Sequence, residues 1–296
     1  MADLPTQRLG RTDMDVTVLG YGAMELRGAP RGRDISEADS ERILNALLDM
    51  GVNYIDTSID YGLSEERIGR AISSRRSEYF LASKCGCPLD PEASRYGRGE
   101  HVYTADRVRD GVLQSLRRLQ TDYLDLVQFH ASPTPQQLTE HGGLEALQEL
   151  QHQGKVRYIG ISGTIPNLRD QIAMGVFDVF QIPYSALQLE HEELMADASN
   201  AGAGIVIRGG AARGGPAKES GDAWSTWKAA GMDDLIGDMD RMEFVLRFTY
   251  SSPDLDTTIV GTLNPDHLQQ NIDALMKGPL PPDLYDEAKR RLASAQ

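Results

Sequence analysis

Short runs of β-branched and apolar residues alternate along the chain with segments of helical periodicity. Eight runs read as strands: 16–20 (VTVLG), 52–56 (VNYID), 78–84 (EYFLASK), 123–130 (YLDLVQFH), 156–162 (VRYIGIS), 176–183 (VFDVFQIP), 204–207 (GIVI) and 257–261 (TTIVG). Their mostly continuous apolar character suits strands buried on both faces, as in a parallel sheet covered by helices. The helical segments between them carry their own punctuation. Ser36, followed by Glu37 and Asp39, opens the first, whose Ile43, Leu47 and Met50 share a face before Gly51 closes it. Ser64 with Glu65 and Glu66 opens the second, and Thr104 opens a third with the stripe Val108, Val112, Leu116 and Leu119. Leu144, Leu147 and Leu150 mark a fourth, ended by Gly154. Asn264-Pro265 starts a late helix carrying Leu268, Ile272 and Leu275.

Eight alternating β and α units predict an α/β fold, a single (β/α)8 TIM barrel occupying residues 1–296. A doubly wound open sheet stays open as an alternative, since periodicity does not show closure. The G-x-G-x-x-G of a Rossmann unit is missing after the first strand. The opening RLGRTDMDVTVLG reads as an N-terminal β-hairpin turning through Arg11-Thr12-Asp13 and plugging one end of the barrel. Residues 85–103, 131–142 and 208–238 form long loops, and all three emerge at the C-terminal face, where active sites of this architecture sit.

Composition narrows the classes. Lys and Arg number 30 against 44 Asp and Glu, a formal net charge of −14, which argues against nucleic acid or an anionic membrane as the main partner. Apolar runs fall short of a membrane span, and the N-terminus lacks signal-peptide character, so a cytoplasmic setting is the expectation. Cys85 and Cys87 have no second cysteine pair, and His101 is the nearest histidine. They read as free thiols, with no metal site expected. His101, His141, His152 and His191 are expected at solvated positions. Trp224 and Trp227 either pack locally or cap a substrate pocket.

The chemistry sits at strand ends. The second strand ends at Asp56 with Tyr61 five residues later, the third at Lys84 and the fourth at His130. Their side chains converge over the barrel mouth. A tyrosine hydroxyl, with an unperturbed pKa of ~10, needs a neighbouring ammonium to become a useful acid near neutrality. Lys84 supplies the ammonium and Asp56 the counter-charge that keeps it protonated. His130 donates a hydrogen bond to a substrate carbonyl. Such a site protonates an oxyanion as hydride arrives at carbon, and hydride requires a nicotinamide or a flavin.

In these residues the chain resembles the aldo-keto reductase superfamily. The resemblance runs through NYIDTSIDYGLSEERIGRAI, FLASK, LDLVQFH, GKVRYIGIS, FQIPYS and IVGTLNPDHLQQNI. It implies a (β/α)8 barrel, a tetrad of Asp56, Tyr61, Lys84 and His130, and NADPH bound without a Rossmann motif, with NADH also used. It further implies that Ser162 and Gln181 hold the nicotinamide amide, with Gly163 where Asn or Asp is usual. Gly22, Ala23 and Met24 lie beside the cofactor. Gly261, Thr262, His267, Gln270 and Asn271 grip its adenosine and phosphate. Arg208, followed by Gly209, stands where an aromatic often stacks on the nicotinamide. Many relatives carry lysine at Gly261 and arginine at His267. The implied function is reduction of small aldehydes or ketones. The alternatives are a non-catalytic, nicotinamide-binding redox-sensing subunit and a sugar isomerase or aldolase on the same barrel. Oligomeric state is left open.

Overall fold

A computed structural model describes residues 4–212, 218–219 and 221–295. Two antiparallel strands, β1 (Thr6–Arg8) and β2 (Asp15–Thr17), open the chain. The next eight are β3 (Leu19–Gly22), β4 (Tyr54–Asp56), β5 (Phe80–Cys85), β6 (Leu124–Phe129), β7 (Val156–Ser162), β8 (Val179–Pro183), β9 (Gly204–Arg208) and β10 (Thr257–Val260). Each is parallel to its neighbours, and β10 closes the barrel against β3. Closure settles the choice between barrel and open sheet. The principal flanking helices span Glu37–Asp49, Ser64–Ile72, Ala105–Leu119, Gly143–His152, Glu192–Asn200, Arg241–Tyr250, Pro265–Met276 and Pro282–Ser294. Ser36, Thr104 and Asn264 cap helices as expected, each accepting a backbone N–H near the start of its helix. No helix among the described residues is long and apolar enough to cross a membrane.

The structure corrects several local readings. The run 16–20 is not one strand: Thr17 ends the hairpin, Val18 reaches back to the Pro5 carbonyl, and the barrel strand starts at Leu19. Ser64 does open its helix, as expected, with its hydroxyl drawn inward to the Ala23 carbonyl. The three long connections contain short helices, Pro91–Tyr96, Pro135–Thr139, and the pair Gly221–Ala229 and Met232–Ile236. Residues 213–217 and 220 of the third connection lie outside the described residues. Trp227 packs locally: it is fully buried, edge-on to Phe244, and its indole N–H donates to Asp233. Lys228 and Arg241 both approach the Trp224 ring, at 5.5 and 4.8 Å from its centroid.

The barrel interior is layered by strand alternation, which returns every second residue to the same face. At the bottom, Leu9, Met14 and Val16 of the hairpin pack against Tyr54, Ala82, Leu126, Val179 and Val206. The hairpin is the expected plug. Two residues further along four of those strands come Asp56, Lys84, Gln128 and Gln181, so a polar layer stands directly on an apolar one.

Side-chain acceptors also finish the strand starts. Asn53 accepts from Thr17 N–H at 2.7 Å, Asp125 from Leu81 N–H at 2.9 Å, and Asp178 from Ile159 N–H at 3.1 Å. Asp256 accepts from Ile205 N–H at 2.9 Å and from Gly10 N–H at 3.1 Å, which ties the hairpin to the barrel. Burial raises the Asp256 carboxyl to about 6, and the two amides offset that only in part.

A group whose folded pKa lies above its unfolded value binds the proton more tightly when folded, so wild type loses stability as pH climbs through roughly 4 to 6. Asp256→Asn keeps an acceptor without the charge. Its stability relative to wild type is expected to rise by an amount on the order of 2–3 kcal/mol between pH 4 and pH 8. Urea denaturation of both proteins across that range checks this, and a pH-independent difference contradicts it.

Candidate active site

The polar layer centres on Asp56, which is buried. Its Oδ2 accepts from Lys84 Nζ at 2.6 Å, and its Oδ1 accepts from the side-chain amides of Gln128 at 3.0 Å and Gln181 at 2.8 Å. Lys84 Nζ also donates to the Thr57 carbonyl at 2.8 Å. Burial is the strongest single influence and works against the Lys84 charge, but Asp56, Tyr61 and Asp60 together outweigh it, and the ammonium is held above its ordinary pKa. The lysine is therefore cationic at neutral pH. Gln128, hidden inside the apolar run LDLVQF, is a member of this layer that the sequence reading passed over.

Tyr61 and His130 stand above the pair. Tyr61 follows β4 in a tight turn closed by its N–H to the Ser58 carbonyl, and its ring centroid lies 5.0 Å from Lys84 Nζ. The His130 ring meets it edge-on at 6.0 Å. Burial pushes the Tyr61 phenol up, Lys84 pulls it back, and the net value stays above the ordinary one. This corrects the expectation of a lowered pKa: Lys84 acts in the expected direction, but burial is stronger. Tyr61 is consequently a fully protonated donor at neutral pH. Burial pushes the His130 ring well below the ordinary histidine range, Lys84 and His101 add to that, and Asp60 opposes it. The imidazole is neutral. Its backbone is pinned on both sides, by N–H to the Cys85 carbonyl at 3.1 Å and by the Tyr103 hydroxyl to its own carbonyl at 2.6 Å.

These side chains border a cavity of about 250 Å³ lined by Tyr61, His130, Ala131, Ser132, Ser162, Thr164, Gln181 and Arg208. The Ser162 hydroxyl donates to Gln181 Oε1 at 3.1 Å. Thr164 is held from behind by His191 Nε2 at 2.9 Å. His191 was expected at a solvated position and is instead buried, because its Nε2 also accepts the Ile165 N–H. His101 is likewise not a free surface group: its ring packs edge-on against His130 at 5.0 Å. His141 and His152 are exposed. Neither tryptophan lines the cavity.

The nicotinamide side of this cavity can be tested on the residues present. Ser162 and Gln181 offer a hydroxyl and a carboxamide, a donor and acceptor pair that matches a primary amide. Gly163 departs for a steric reason: an added Cβ would stand 2.6 Å from Gln171 Oε1 and 2.8 Å from Leu168 Cδ1. Gln171 is locked there by donating to the Pro133 carbonyl at 2.7 Å and the Ser132 hydroxyl at 3.2 Å. Arg208 ends β9 at the cavity wall, and Gly209 turns the chain away with φ +77°. Gly22 ends β3, and Ala23 and Met24 open the 3-10 turn that follows, Ala23 buried and Met24 exposed. Beside them, a Cβ on Gly261 would stand 2.8 Å from the Gly22 carbonyl oxygen, which leaves no room for a lysine. The Thr262 side chain is folded onto Asn264, accepting its N–H at 3.1 Å. His267, Gln270 and Asn271 lie on the following helix, the first two exposed. The donor set at the cavity fits a nicotinamide, and the cation set further out is sparse.

Comparison with known proteins agrees with this architecture. The aldo/keto reductase family model matches residues 18–219. The chain is 27% identical over 288 residues to "Uncharacterized oxidoreductase YqkF" of Bacillus subtilis (strain 168), covering 90% of each. It is 27% identical over 302 residues to L-galactose dehydrogenase of Arabidopsis thaliana, covering 93% of this chain and 89% of that one. The holo form of aldo-keto reductase AKR11C1 from Bacillus halodurans matches with a TM-score of 0.86 and 27% identity, over 97% of this chain and 96% of that one. The matched span takes in Asp56, Tyr61, Lys84 and His130. The chain belongs to the aldo/keto reductase family, whose chemistry is oxidoreduction with a nicotinamide cofactor.

Proposed function

We propose that this protein reduces small aldehydes or ketones to alcohols, with NADPH preferred and NADH also used. The observation that carries the reading is the buried Lys84–Asp56 pair, 2.6 Å apart, set under a protonated tyrosine and a neutral histidine at one cavity. Bound nicotinamide supplies hydride to the carbonyl carbon. Tyr61 gives its proton to the carbonyl oxygen, and the Lys84 ammonium stabilises the phenolate left behind. Asp56 keeps Lys84 charged, while Gln128 and Gln181 keep Asp56 aimed at it. The neutral His130 ring has one N–H to donate to the same oxygen, which orients the carbonyl without competing as an acid. Ser162 and Gln181 hold the carboxamide of the nicotinamide, and the planar Arg208 guanidinium takes the place of the stacking aromatic. A cavity of about 250 Å³ suits a small carbonyl compound rather than a macromolecule.

Tyr61→Phe removes the acid and keeps the ring, so turnover with reactive aldehydes is expected to fall by a factor on the order of 10²–10⁴. Cofactor affinity should hardly change. Steady-state oxidation of NADPH across an aldehyde panel, with cofactor binding measured in parallel, checks both halves. Retention of near-normal turnover in the variant would remove Tyr61 from the mechanism, and no turnover by wild type on any aldehyde or ketone would favour a regulatory, cofactor-binding protein.

Cofactor choice follows from the outer residues. The N-terminus of the helix Pro265–Met276 turns its positive dipole end toward a phosphate, although Pro265 has no N–H and the Asp266 N–H is taken by the Asn264 side chain at 2.9 Å. Gly261 carries no cation, position 267 holds a histidine rather than an arginine, and Asp266 beside it repels phosphate. NADPH is therefore expected to bind more tightly than NADH by a narrow margin, and His267→Arg to widen it. Dissociation constants for both cofactors, in both proteins, measure this. A strong NADH preference in wild type would reverse the reading.

A further inference from the structure

Four ligand-type side chains meet beside His130. Asp60, Cys87, His101 and His130 bring one donor atom each to within 4.8 Å of one another. We propose that these four residues form a zinc site.

The spacings carry the argument. His101 Nε2 lies 3.2 Å from His130 Nδ1, Cys87 Sγ lies 3.3 Å from the same nitrogen, Asp60 Oδ1 lies 3.6 Å from it, and His101 Nε2 is 4.0 Å from Asp60 Oδ2. With Zn–N and Zn–O of ~2.0–2.2 Å and Zn–S of ~2.3 Å, the edges of a ligand tetrahedron come to roughly 3.3–3.6 Å. The three distances from His130 Nδ1, three of the tetrahedron's six edges, fall within about 0.1 Å of that range, and the remaining edges close with a turn of the His101 imidazole and of the Asp60 carboxylate.

Proton accounting points the same way. His130 Nδ1 faces a thiol, a second ring nitrogen and a carboxylate, and a single N–H there can serve only one of them. A cation at the centre satisfies every lone pair at once. Zn²⁺ with one thiolate, one carboxylate and two neutral imidazoles is also a neutral set, which removes the penalty of burying net charge. On binding, the Zn–S bond replaces the Cys87 S–H bond and the thiol proton passes to solvent.

The surroundings are built to hold the ligands still. The Ser58 hydroxyl donates to Asp60 Oδ1 at 2.6 Å and lies 3.6 Å from Cys87 Sγ. Val102 N–H donates to the Gly86 carbonyl at 2.8 Å, which fastens the segment carrying His101 to the one carrying Cys87. Coordination of Nδ1 would leave the remaining ring proton of His130 on Nε2. The value of that tautomer for carbonyl reduction rests on the function proposed above; the zinc site itself does not.

The test uses the full-length protein, stripped of metal with a chelator and dialysed. Zinc sulfate is titrated calorimetrically, zinc per chain is counted by elemental analysis, and cobalt(II) serves as the spectroscopic probe. One zinc per chain is expected, with a thiolate-to-cobalt charge-transfer band and the strong visible absorption of tetrahedral cobalt. Cys87→Ser and His101→Ala should each weaken zinc binding on the order of 100-fold or more, since losing a ligand costs more than losing its support. Circular dichroism establishes that both variants are folded, and the half-buried His101 tolerates truncation in any case. Absence of stoichiometric zinc in wild type, a cobalt spectrum without the thiolate band, or variants that bind like wild type would each overturn the site. None of these readouts involves turnover, so failure of the zinc site and failure of the reductase reading remain separate results.

Discussion

A lysine and an aspartate held out of water inside a barrel set the terms for everything above them. Two charges in such a place are stable only when their hydrogen-bonding capacity is nearly filled. Here Asp56 accepts from Lys84, Gln128 and Gln181, and Lys84 donates in turn to Asp56 and to the Thr57 carbonyl. The partners come from β4, β5, β6 and β8, so the pair is fixed by the sheet rather than by loops. Breaking it by removing one member would leave an uncompensated buried charge, a loss of about 3–5 kcal/mol.

The same strand alternation that builds this layer also isolates it. Below lies the apolar layer sealed by Leu9, Met14 and Val16 of the hairpin, so the pair is closed off on that side. Tyr61 stands between the dry cation and the cavity. Burial raises its pKa while Lys84 opposes the rise, and the phenol is left as a donor whose conjugate base has a stabiliser waiting. His130, also desolvated, stays neutral. Acid and hydrogen-bond donor are thus separated by environment, not by residue type alone.

Much of this was legible in the chain. Eight apolar runs with capped helices between them point to a parallel α/β fold, because strands buried on both faces read as continuous apolar runs, while closure into a barrel depends on the pairing of β10 with β3. Asp56, Lys84 and His130 were readable since each is an ionisable residue ending such a run. What escaped notice depends on which atoms meet across strands or loops. Gln128 looks like one polar interruption in an apolar strand until its neighbours Asp56 and Lys84 are known. His191 resembles any histidine before a helix, yet the Ile165 amide captures it. Gly163 replaces Asn or Asp because Gln171, eight residues away on the following helix, fills the space. Asp60, Cys87 and His101 come from separate segments, and no spacing in the sequence announces that they share a point with His130. The desolvation of Tyr61 was the deepest omission, since it reverses the net direction of a pKa that Lys84 alone would lower.

The central claim is that Tyr61 is a half-buried acid whose pKa is raised by desolvation and restrained by Lys84. Direct titration of the Tyr61 phenol, by NMR of protein carrying ring-labelled tyrosine, tests it without reference to any substrate. The account predicts a Tyr61 pKa above the ordinary value of ~10 in wild type and a further rise in Lys84→Met. A Tyr61 that titrates at or below the ordinary value, or one unmoved by loss of Lys84, would contradict it.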